Sequence, residues 1–516
     1  MLHPVSRRVV LPLLLAVSGA AGCAGGTEAG AAPAADASTL PAPSVTTLGR
    51  VRSTGGRLMD EWGRQWLLRG TNAKYERLFD VTFDDGRTRN EMLPEYDPAL
   101  DPPETARLGF DFVRLAITWS GLEPEEGKFS EPFLQLLDRV VDGYEKAGVY
   151  VLIDFHEDGW SKEVGEDGAP YWAIVPPPPA KLGGPLWAEG GLQCPCDDLD
   201  KRRASTPVLT AFTSFFDNKE NIQDRFLPAW KLLGARYRDR AGVIGFEAMN
   251  EPVAVQMPDG HASLDAFHVK AAAALRSVDP GHAYWLEPEV MTRNFTCAAP
   301  LRAAPFPDDN VVYAPHLYPG LCKQLPASVS YADWVANLTP TFDSMLTEAA
   351  SYGGAVVLGE WWTGLGSAAD FDVMDAFHSL ADARNIGLAR WYWRGHSGNP
   401  ACNGSGTSYC FRTLDQKWAL TQPGSDHLSR PYPLAVPGKL VSHAFDRAAS
   451  LEFTFEAAGG EAPPLVYLPA QRYPQGFVVE VDGKVVEVTP EVATQRASLP
   501  WDGRAGTHSV TVSPAQ

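Results

Sequence analysis

The stretch VIGFEAMNEP (residues 243–252) begins as an apolar run and ends on an amide and a carboxylate, Asn250 and Glu251. Its first residues are typical of a buried strand. A strand that crosses a core needs no polar end, although a turn alone would account for Asn and Pro. The function of this stretch therefore depends on whether other apolar runs end in the same way.

Eight short apolar runs recur along the chain, and helix-like or loop-rich segments separate them. The segment 132–148 has apolar residues at helical spacing and ends at Gly148. Continuous apolar strands that alternate with helices predict a parallel sheet covered on both faces. Eight such units predict an α/β fold, a closed (β/α)8 TIM barrel. The runs are WLLRGTN (66–72), FDFVRLAITW (110–119), VYVLIDFHED (149–158), VIGFEAMNEP (243–252), AYWLEPE (283–289), NVVYAPHLY (310–318), GAVVLGEWW (354–362) and GLARWYWRG (387–395).

The pattern changes beyond about residue 430. LEFTF, PLVYLP, GFVVEVDGKVVEV and HSVTV alternate apolar and polar residues, and Asp482-Gly483 is a strong hairpin turn. We therefore predict a catalytic barrel domain over 46–428 and an antiparallel β-sandwich domain over 429–516. Such a sandwich either packs against its barrel and stabilises it, or binds carbohydrate or a membrane surface.

The N-terminus has the pattern of an export signal. Arg7 and Arg8 precede the apolar run VVLPLLLAV, and small residues lead to Cys23. The segment 1–23 resembles a bacterial lipoprotein signal with Cys23 as the lipidation site, although Ala20 stands where such signals prefer Leu. The chain is then either a lipoprotein anchored at the cell surface or a secreted protein. Residues 24–45 are predicted to form a flexible linker.

Net charge and cysteine content argue against two classes of function, nucleic-acid binding and metal binding. The formal net charge of −19 excludes the basic footprint of a nucleic-acid-binding protein. Six cysteines remain after Cys23, an even number that favours disulfides in an exported chain. Cys402 with Cys410 is the first pairing to expect. The cysteines lack the paired CxxC spacing of a metal site, so no metal is expected.

Polar residues end many of the apolar runs. In a (β/α)8 barrel the active site forms at the carboxyl ends of the strands, so these side chains are expected to face one pocket. Each alone is explained by the need for a strand to end. Their joint occurrence favours a site made of Arg114, His156, Asp158, Asn250, Glu251, His316, Tyr318, Glu360 and Trp393.

Two of these residues, Glu251 and Glu360, are carboxylates at the ends of the fourth and seventh strands. Retaining cleavage of a glycosidic bond needs one carboxylate that attacks the anomeric carbon and one carboxyl group that protonates the departing oxygen. The two glutamates would face each other across the barrel mouth. A separation near 5 Å would favour retention of configuration.

The motifs together resemble clan A glycoside hydrolases, and above all glycoside hydrolase family 5. The matching motifs are NEP at 250–252, GEW at 359–361, the Arg of FVRL, the His of DFH and HLY at 316–318. The resemblance implies that Glu251 is the acid/base and Glu360 the nucleophile, with no cofactor. It also gives roles to Asn250, which would bind the sugar 2-hydroxyl, and to His316, in the substrate site. We further expect Glu251 to have a raised pKa before substrate arrives, so that it starts protonated.

Two residues are expected to support the nucleophile. Arg114 would keep Glu360 ionised, because a nearby opposite charge lowers the pKa of a carboxylate. Tyr318 would orient the same carboxylate.

Within that family the chain is similar to endoglycoceramidases, which release glycans from the ceramide of glycosphingolipids. RGTNAKY (69–75), LIDFHEDGWSKEVGEDGAPYWA (152–173) and a long insertion from about 159 to 225 carry this similarity. One departure is Glu157, where such relatives have Gln. The similarity implies that the sugar subsite next to the scissile bond is lined by Lys74, His156, Asp158 and Trp393.

Three functions follow as hypotheses. The first is a retaining endo-β-glycosidase that separates the glycan from the lipid of glycosphingolipids. The second is a β-glucosidase or β-glucanase acting on simpler β-glycosides, and the third is a surface lipoprotein that binds glycans without cleaving them. Apolar residues of YWAIVPPPPAKLGGPLW (171–187) either form a lipid slot or pack the insertion onto the barrel, while Trp361 and His396 are either sugar platforms or rim packing. The partners expected are a glycolipid or other β-glycoside and, through Cys23 or the substrate, a membrane surface, with the oligomeric state open.

Overall fold

The computed structural model describes residues 43–83, 93–178, 203, 205–318, 322, 329–363, 367–394, 424–446 and 449–515. The predicted signal 1–23, with Cys23, and nearly all of the predicted linker lie outside these residues. Within the described ranges, no helix has both the length and the hydropathy needed to cross a membrane.

Strands occur along most of the described chain and build three sheets. Each of the eight predicted runs overlaps at least one of the barrel strands, which are β4 to β12. The strands are β1 (Val51–Thr54), β2 (Arg57–Asp60), β3 (Arg64–Trp66), β4 (Arg69–Lys74), β5 (Phe112–Ile117), β6 (Tyr150–Phe155), β7 (Val243–Glu247), β8 (Ala283–Leu286), β9 (Val311–Tyr313), β10 (His316–Leu317), β11 (Ala355–Trp361), β12 (Gly387–Arg390), β13 (Tyr432–Pro437), β14 (Lys439–Phe445), β15 (Leu451–Ala457), β16 (Leu465–Tyr467), β17 (Phe477–Val481), β18 (Lys484–Val486), β19 (Arg496–Ser498) and β20 (Gly506–Pro514).

The barrel closes because β12 pairs in parallel with β4, and every other neighbouring pair of barrel strands is also parallel. β9 and β10 are two parts of one interrupted strand, since both pair with β11. The barrel therefore has eight staves, with β7 the fourth, β9–β10 the sixth, β11 the seventh and β12 the eighth. The predicted (β/α)8 fold is confirmed.

Helices cover the outside of the barrel. The helix α3 (Glu131–Lys146) is an example. The Ser130 side chain accepts a hydrogen bond from the backbone N–H of Phe133 and caps the helix. Its apolar residues recur at helical spacing and are buried against the barrel. The helices are α1 (Asp101–Arg107), α2 (Trp119–Leu122), α3 (Glu131–Lys146), α4 (Thr206–Phe216), α5 (Ile222–Tyr237), α6 (Gly260–Arg276), α7 (Val290–Thr296), α8 (Tyr331–Tyr352), α9 (Ala368–Asp382) and α10 (Gly424–Leu428).

The C-terminal region is a sandwich of two antiparallel sheets, as predicted. One sheet has the order β14-β15-β20-β17-β18, and its β17–β18 hairpin turns at Asp482 and Gly483, which both have positive φ. The other has the order β1-β2-β3-β13-β16-β19. Residues 51–66, which the prediction assigned to the catalytic domain, thus belong to the sandwich, because β3 pairs with the C-terminal strand β13.

Sandwich and barrel share one buried core. Phe112, Leu152 and Trp285 of the barrel floor belong to the same apolar cluster as Leu434 and Phe453 of the sandwich. This packing accounts for the sandwich as a support for the barrel, one of the two predicted roles.

A disulfide joins Cys297, which directly follows α7, to Cys322, beyond β10. It closes a loop with a sequence separation of 25 residues that contains the sixth stave. The pairing of Cys402 with Cys410 remains a prediction, because both residues lie outside the described ranges.

Candidate active site

Arg114 lies at the centre of the barrel, fully buried on the second stave. Its Nε donates to Oε2 of Glu247 at 2.8 Å, its Nη1 to Oε1 of Glu360 at 2.8 Å, and its Nη2 to Oε1 of Glu287 at 3.0 Å. The same Nη2 donates to Oδ1 of Asn250 at 2.9 Å. One guanidinium therefore links groups from the fourth, fifth and seventh staves beneath the barrel mouth.

Glu360 lies near the end of the seventh stave, where the Tyr318 hydroxyl donates a hydrogen bond to its Oε2. Burial raises its pKa above the usual value, and the charge of Glu251 adds to that effect. His316 and Arg114 lower the pKa of Glu360 but do not outweigh burial. Arg114 thus acts in the predicted direction, while the net shift is upward.

Glu251 follows the fourth stave with a φ of 40°, in the left-handed region that non-glycine residues rarely adopt. Such strain persists where the surrounding structure imposes it, as at active sites. Nδ1 of His316 lies 3.0 Å from Oε1 of Glu251, and Nη1 of Arg203 lies 3.4 Å from Oε2. Burial raises the pKa of Glu251, but the hydrogen bond and charge of His316, with the charge of Arg203, bring it below its usual value. The predicted raised pKa of Glu251 is therefore wrong for the unliganded site.

The two carboxylates meet across the barrel mouth. An oxygen of Glu251, an oxygen of Glu360 and a ring nitrogen of His316 lie within 4.8 Å of one another. Retaining glycosidases hold their carboxyl groups about 5–5.5 Å apart, whereas inverting enzymes separate them by about 6.5–9.5 Å to admit a water. The observed spacing suits direct attack on the substrate.

The predicted sugar-binding residues gather beside this pair. Asn250 Nδ2 donates to Asp158 Oδ1 at 2.9 Å, and His156 Nε2 lies 3.4 Å from Asp158 Oδ2. On its other side, His156 Nδ1 lies 2.8 Å from Asp154 Oδ2. Lys74 Nζ stands 5.1 Å from the ring centroid of Trp391. The structure therefore brings Lys74, His156, Asp158 and Asn250 together.

Trp393 does not join them. It is fully buried, its indole N–H donates to Asp101 at 2.9 Å, and its ring packs edge-on against Phe110. The eighth stave ends at Arg390, and beyond it the backbone N–H of Trp393 pairs with the carbonyl of Asn72, so Trp393 stays in the barrel wall. The aromatic ring beside the sugar-binding residues belongs to Trp391, which stacks on His156 at 5.5 Å.

Other residues of the site were not identified from sequence. Asp154 and Glu287 contact Arg114, and Glu287 Oε1 also lies 3.2 Å from His316 Nε2. Glu287 directly follows the fifth stave within the run AYWLEPE, so its position after a stave was a usable signal. Arg203 had no such signal, because the long insertion has no clear periodicity.

Trp361 and two residues of the candidate lipid slot, Trp172 and Ile174, pack within the protein. Trp361 is buried and stacks on Phe377 at 5.0 Å. Within the insertion, Trp172 packs edge-on against Trp119 at 4.9 Å and Ile174 is buried. His396 and residues 179–187 of the predicted lipid slot lie outside the described ranges.

Among the described residues, three groups of acidic and histidine side chains are close enough to hold a cation. They are Glu247, Glu287 and His316; Glu251, His316 and Glu360; and Asp158, Glu166 and Asp167. Protein cations already contact each group: Arg114 the first two, and Arg203 the third.

Residues 103–397, more than half of the chain, match the family model described as Cellulase (glycosyl hydrolase family 5). The chain belongs to glycoside hydrolase family 5. Residues 430–512 match the glycoside hydrolase family 5 C-terminal domain. The predicted family is confirmed, and the protein is a glycoside hydrolase.

Relatives of this family 5 chain match along most of its length. It is 28% identical to Endoglycoceramidase I of Rhodococcus hoagii (strain 103S) over 478 residues, which cover 87% of this chain and 85% of that relative. It is 24% identical to Endoglycoceramidase of Cyanea nozakii, over 82% of this chain and 85% of the relative.

Solved structures share the fold. Endo-glycoceramidase II from Rhodococcus sp. in its Ganglioside GM3 Complex superposes with a TM-score of 0.72 at 22% identity, covering 90% of this chain and 100% of that one. The Lactosyl-Enzyme Intermediate of the same enzyme gives a TM-score of 0.71 at 23% identity, over 89% and 100% of the two chains.

Proposed function

We propose that this enzyme cleaves the bond between the glycan and the lipid of glycosphingolipids, with retention of configuration. The observation that carries the mechanism is the pairing of Glu251 and Glu360, whose oxygens lie within 4.8 Å across the fourth and seventh staves. The substrate class is supported by the relatives named endoglycoceramidase, whose similarity spans both barrel and sandwich.

In the first step Glu360 attacks the anomeric carbon. Arg114 and Tyr318 hold one oxygen of Glu360 each through hydrogen bonds, and donors to a carboxylate favour its ionised form. As the carbon–oxygen bond to the aglycone breaks, Glu251 gives its proton to the departing oxygen.

In the second step Glu251 acts as a base. It takes a proton from water, and the resulting hydroxide oxygen attacks the anomeric carbon and releases Glu360. Two inversions at one carbon give net retention. No protein group other than the two carboxylates needs to form or break a covalent bond.

The sugar next to the scissile bond would lie against Trp391, with Lys74, His156 and Asp158 as hydrogen-bonding groups. Asn250 is held between Arg114 and Asp158 and would meet the 2-hydroxyl, an interaction that strengthens in the transition state. Polar groups fixed in advance cost little reorganisation during the reaction.

We also propose that the protein is exported and anchored to a membrane through lipidated Cys23, or else secreted. The basic, apolar and small-residue order of residues 1–23 supports export. An anchored enzyme would act on lipid substrates at a membrane surface. Metabolic labelling with a fatty acid, compared between wild type and Cys23→Ala, tests the anchor; an equally labelled variant would refute it.

A second candidate is cleavage of simpler β-glycosides, favoured by the match to a family model named for cellulase. The test incubates the enzyme with ganglioside and lactosylceramide and, in parallel, with cellooligosaccharides and alkyl β-glucosides. Mass spectrometry of the products then shows which substrate class is cleaved. We expect intact oligosaccharide plus ceramide from the glycolipids, and no product with Glu360→Ala. Turnover of glucans alone would refute the glycolipid substrate, and binding without any turnover would indicate a glycan-binding protein.

A further inference from the structure

Arg203 lies in the insertion between the third and fourth staves, and its guanidinium contacts three carboxylates. Nη2 lies 2.6 Å from Oδ2 of Asp158, Nε lies 3.0 Å from Oε2 of Glu166, and Nη1 lies 3.4 Å from Oε2 of Glu251. Its side chain is 33% exposed, while that of Asp158 is 7% exposed. Arg203 therefore bridges the proposed acid/base and a sugar-binding carboxylate from the solvent side.

The two oxygens of Glu251 have different neighbours. Oε1 accepts from Nδ1 of His316, whose pKa stands well above its usual value; burial disfavours the charged ring, but Glu287, Glu360 and Glu251 outweigh it. The proton that Glu251 delivers must then be carried on Oε2. Oε2 is the oxygen that faces Arg203, and a guanidinium beside it opposes protonation.

Other charged groups also face Glu251. Among the described residues, Asp158 raises the pKa of Glu251, while His316 lowers it more than Arg203 does. Glu360 lies across the mouth, and the charge of Glu251 in turn raises the pKa of Tyr318. His316 is buried in the barrel, whereas Arg203 reaches the site from a partly exposed position, so of these two cations beside Glu251 it is Arg203 that lies on the solvent side.

We propose that Arg203 is a positioning residue that spans Asp158 and Glu251 in the unliganded enzyme and is displaced from Glu251 when a glycoside binds. Its departure frees Oε2 to hold the proton that passes to the leaving oxygen as the bond to the aglycone breaks. The inference rests on the proposed role of Glu251 as acid/base.

The contact and its displacement have different consequences for the two pH profiles. Without the Arg203 charge, Glu251 of the free enzyme holds its proton to higher pH, whereas in the complex Arg203 has already left Glu251 and its removal should not move the kcat limb. The alkaline limb of kcat/KM in Arg203→Met should therefore move upward by about 0.5–1 unit, since a partly exposed cation acts with reduced strength. Arg203→Lys keeps the charge and should give a smaller shift.

The leaving group separates this role from a structural one. An alkyl aglycone needs a proton as it departs, whereas a nitrophenolate leaves readily without one. We expect the shifted limb with an alkyl glycoside and little shift with the nitrophenyl glycoside of the same sugar. A merely structural change would alter both substrates alike.

The experiment measures both kcat/KM and kcat against pH for wild type, Arg203→Met, Arg203→Gln and Arg203→Lys. The sugar is whichever of glucose, galactose, cellobiose or lactose the wild type turns over as its alkyl glycoside. Arg225→Met is the matched control, because Arg225 is also a partly exposed arginine and pairs with Glu126. Thermal unfolding identifies folded variants, and Gln serves if Met does not fold.

Three outcomes are distinct. An upward shift of the kcat/KM limb for Met and Gln on the alkyl glycoside alone, absent in the control, together with an unmoved kcat limb, supports the displacement of Arg203 from Glu251 in the complex. An unmoved kcat/KM limb, equal shifts on both substrates, or a kcat limb that shifts as much as the kcat/KM limb overturns it. Glu251→Gln tests the proposed function separately: if this variant turns over the alkyl glycoside as fast as wild type, the acid/base assignment itself fails.

Discussion

Nδ1 of His316 lies 3.0 Å from Oε1 of Glu251, so a ring on the sixth stave contacts the carboxylate that follows the fourth. The same nitrogen lies 3.6 Å from Oε2 of Glu360. Glu287 lies against the other ring nitrogen, and the surrounding carboxylates hold the pKa of His316 well above its usual value. The charged form of His316 lowers the pKa of both Glu251 and Glu360.

We predict that His316→Asn moves both limbs of the kcat/KM pH profile to higher pH. Asparagine keeps an amide near the position of Nδ1 but removes the charge that lowers the pKa of Glu251 and of Glu360. The acid limb requires ionised Glu360, and the alkaline limb requires protonated Glu251. Because both pKa values increase, both limbs move to higher pH. The value at the optimum should fall about 10- to 100-fold. A profile whose limbs stay in place would show that the ring is neutral.

Arg114 is predicted to be essential for stability as well as for activity. Arg114→Met leaves Glu247, Glu287 and Glu360 buried without their cation. Removing one partner of a buried ion pair lowers the free energy of unfolding by about 3–5 kcal/mol, which urea denaturation would detect. Arg236→Met, at a partly exposed pair with Asp138, should cost about 1 kcal/mol or less. Equal losses in the two variants would contradict the network.

Substitution of Trp391 should mainly lower activity, whereas substitution of Trp393 should mainly lower stability. Trp393→Ala removes a fully buried ring and should lower the free energy of unfolding by about 3–5 kcal/mol. Trp391→Ala should lower kcat/KM by about tenfold or more while the melting temperature changes less, since its ring stands beside Lys74 and His156. A Trp391 variant with full activity would remove it from the sugar site.

The disulfide between Cys297 and Cys322 should stabilise the fold. It closes a loop with a separation of 25 residues, for which chain entropy predicts about 3 kcal/mol. The double variant Cys297→Ser, Cys322→Ser is therefore expected to melt several degrees lower in calorimetry. An unchanged melting temperature would show that the bond contributes nothing.

Local sequence patterns sufficed for the staves and for the carboxylate pair. Apolar runs identify buried parallel strands, and their carboxyl ends meet at one edge, so Glu251 and Glu360 could be paired without coordinates. The sequence predicts the last residue of a strand only to within a few residues. That uncertainty explains the misassignment of Trp393, since the stave ends at Arg390 and the ring at the site is that of Trp391.

Long-range contacts could not be predicted in this way. Residues 51–66 form three short strands, the last of which, β3, pairs with β13 near residue 435, and nothing in either segment specifies that pairing. Arg203 belongs to an insertion without periodicity, so its contact with Glu251 could not be anticipated. The pKa of Glu251 was mispredicted for the same reason, because Arg203 and His316 together outweigh burial.

The most direct test of the double displacement is to trap its covalent intermediate. A 2-deoxy-2-fluoro glycoside with a good leaving group forms the glycosyl-enzyme but slows its hydrolysis, because the fluorine destabilises the oxocarbenium-like transition state. Mass spectrometry of the digested protein is predicted to find the sugar on the peptide that contains Glu360. A sugar found on the peptide of Glu251, or a protein that turns over substrate with inversion and carries no label, would contradict the account.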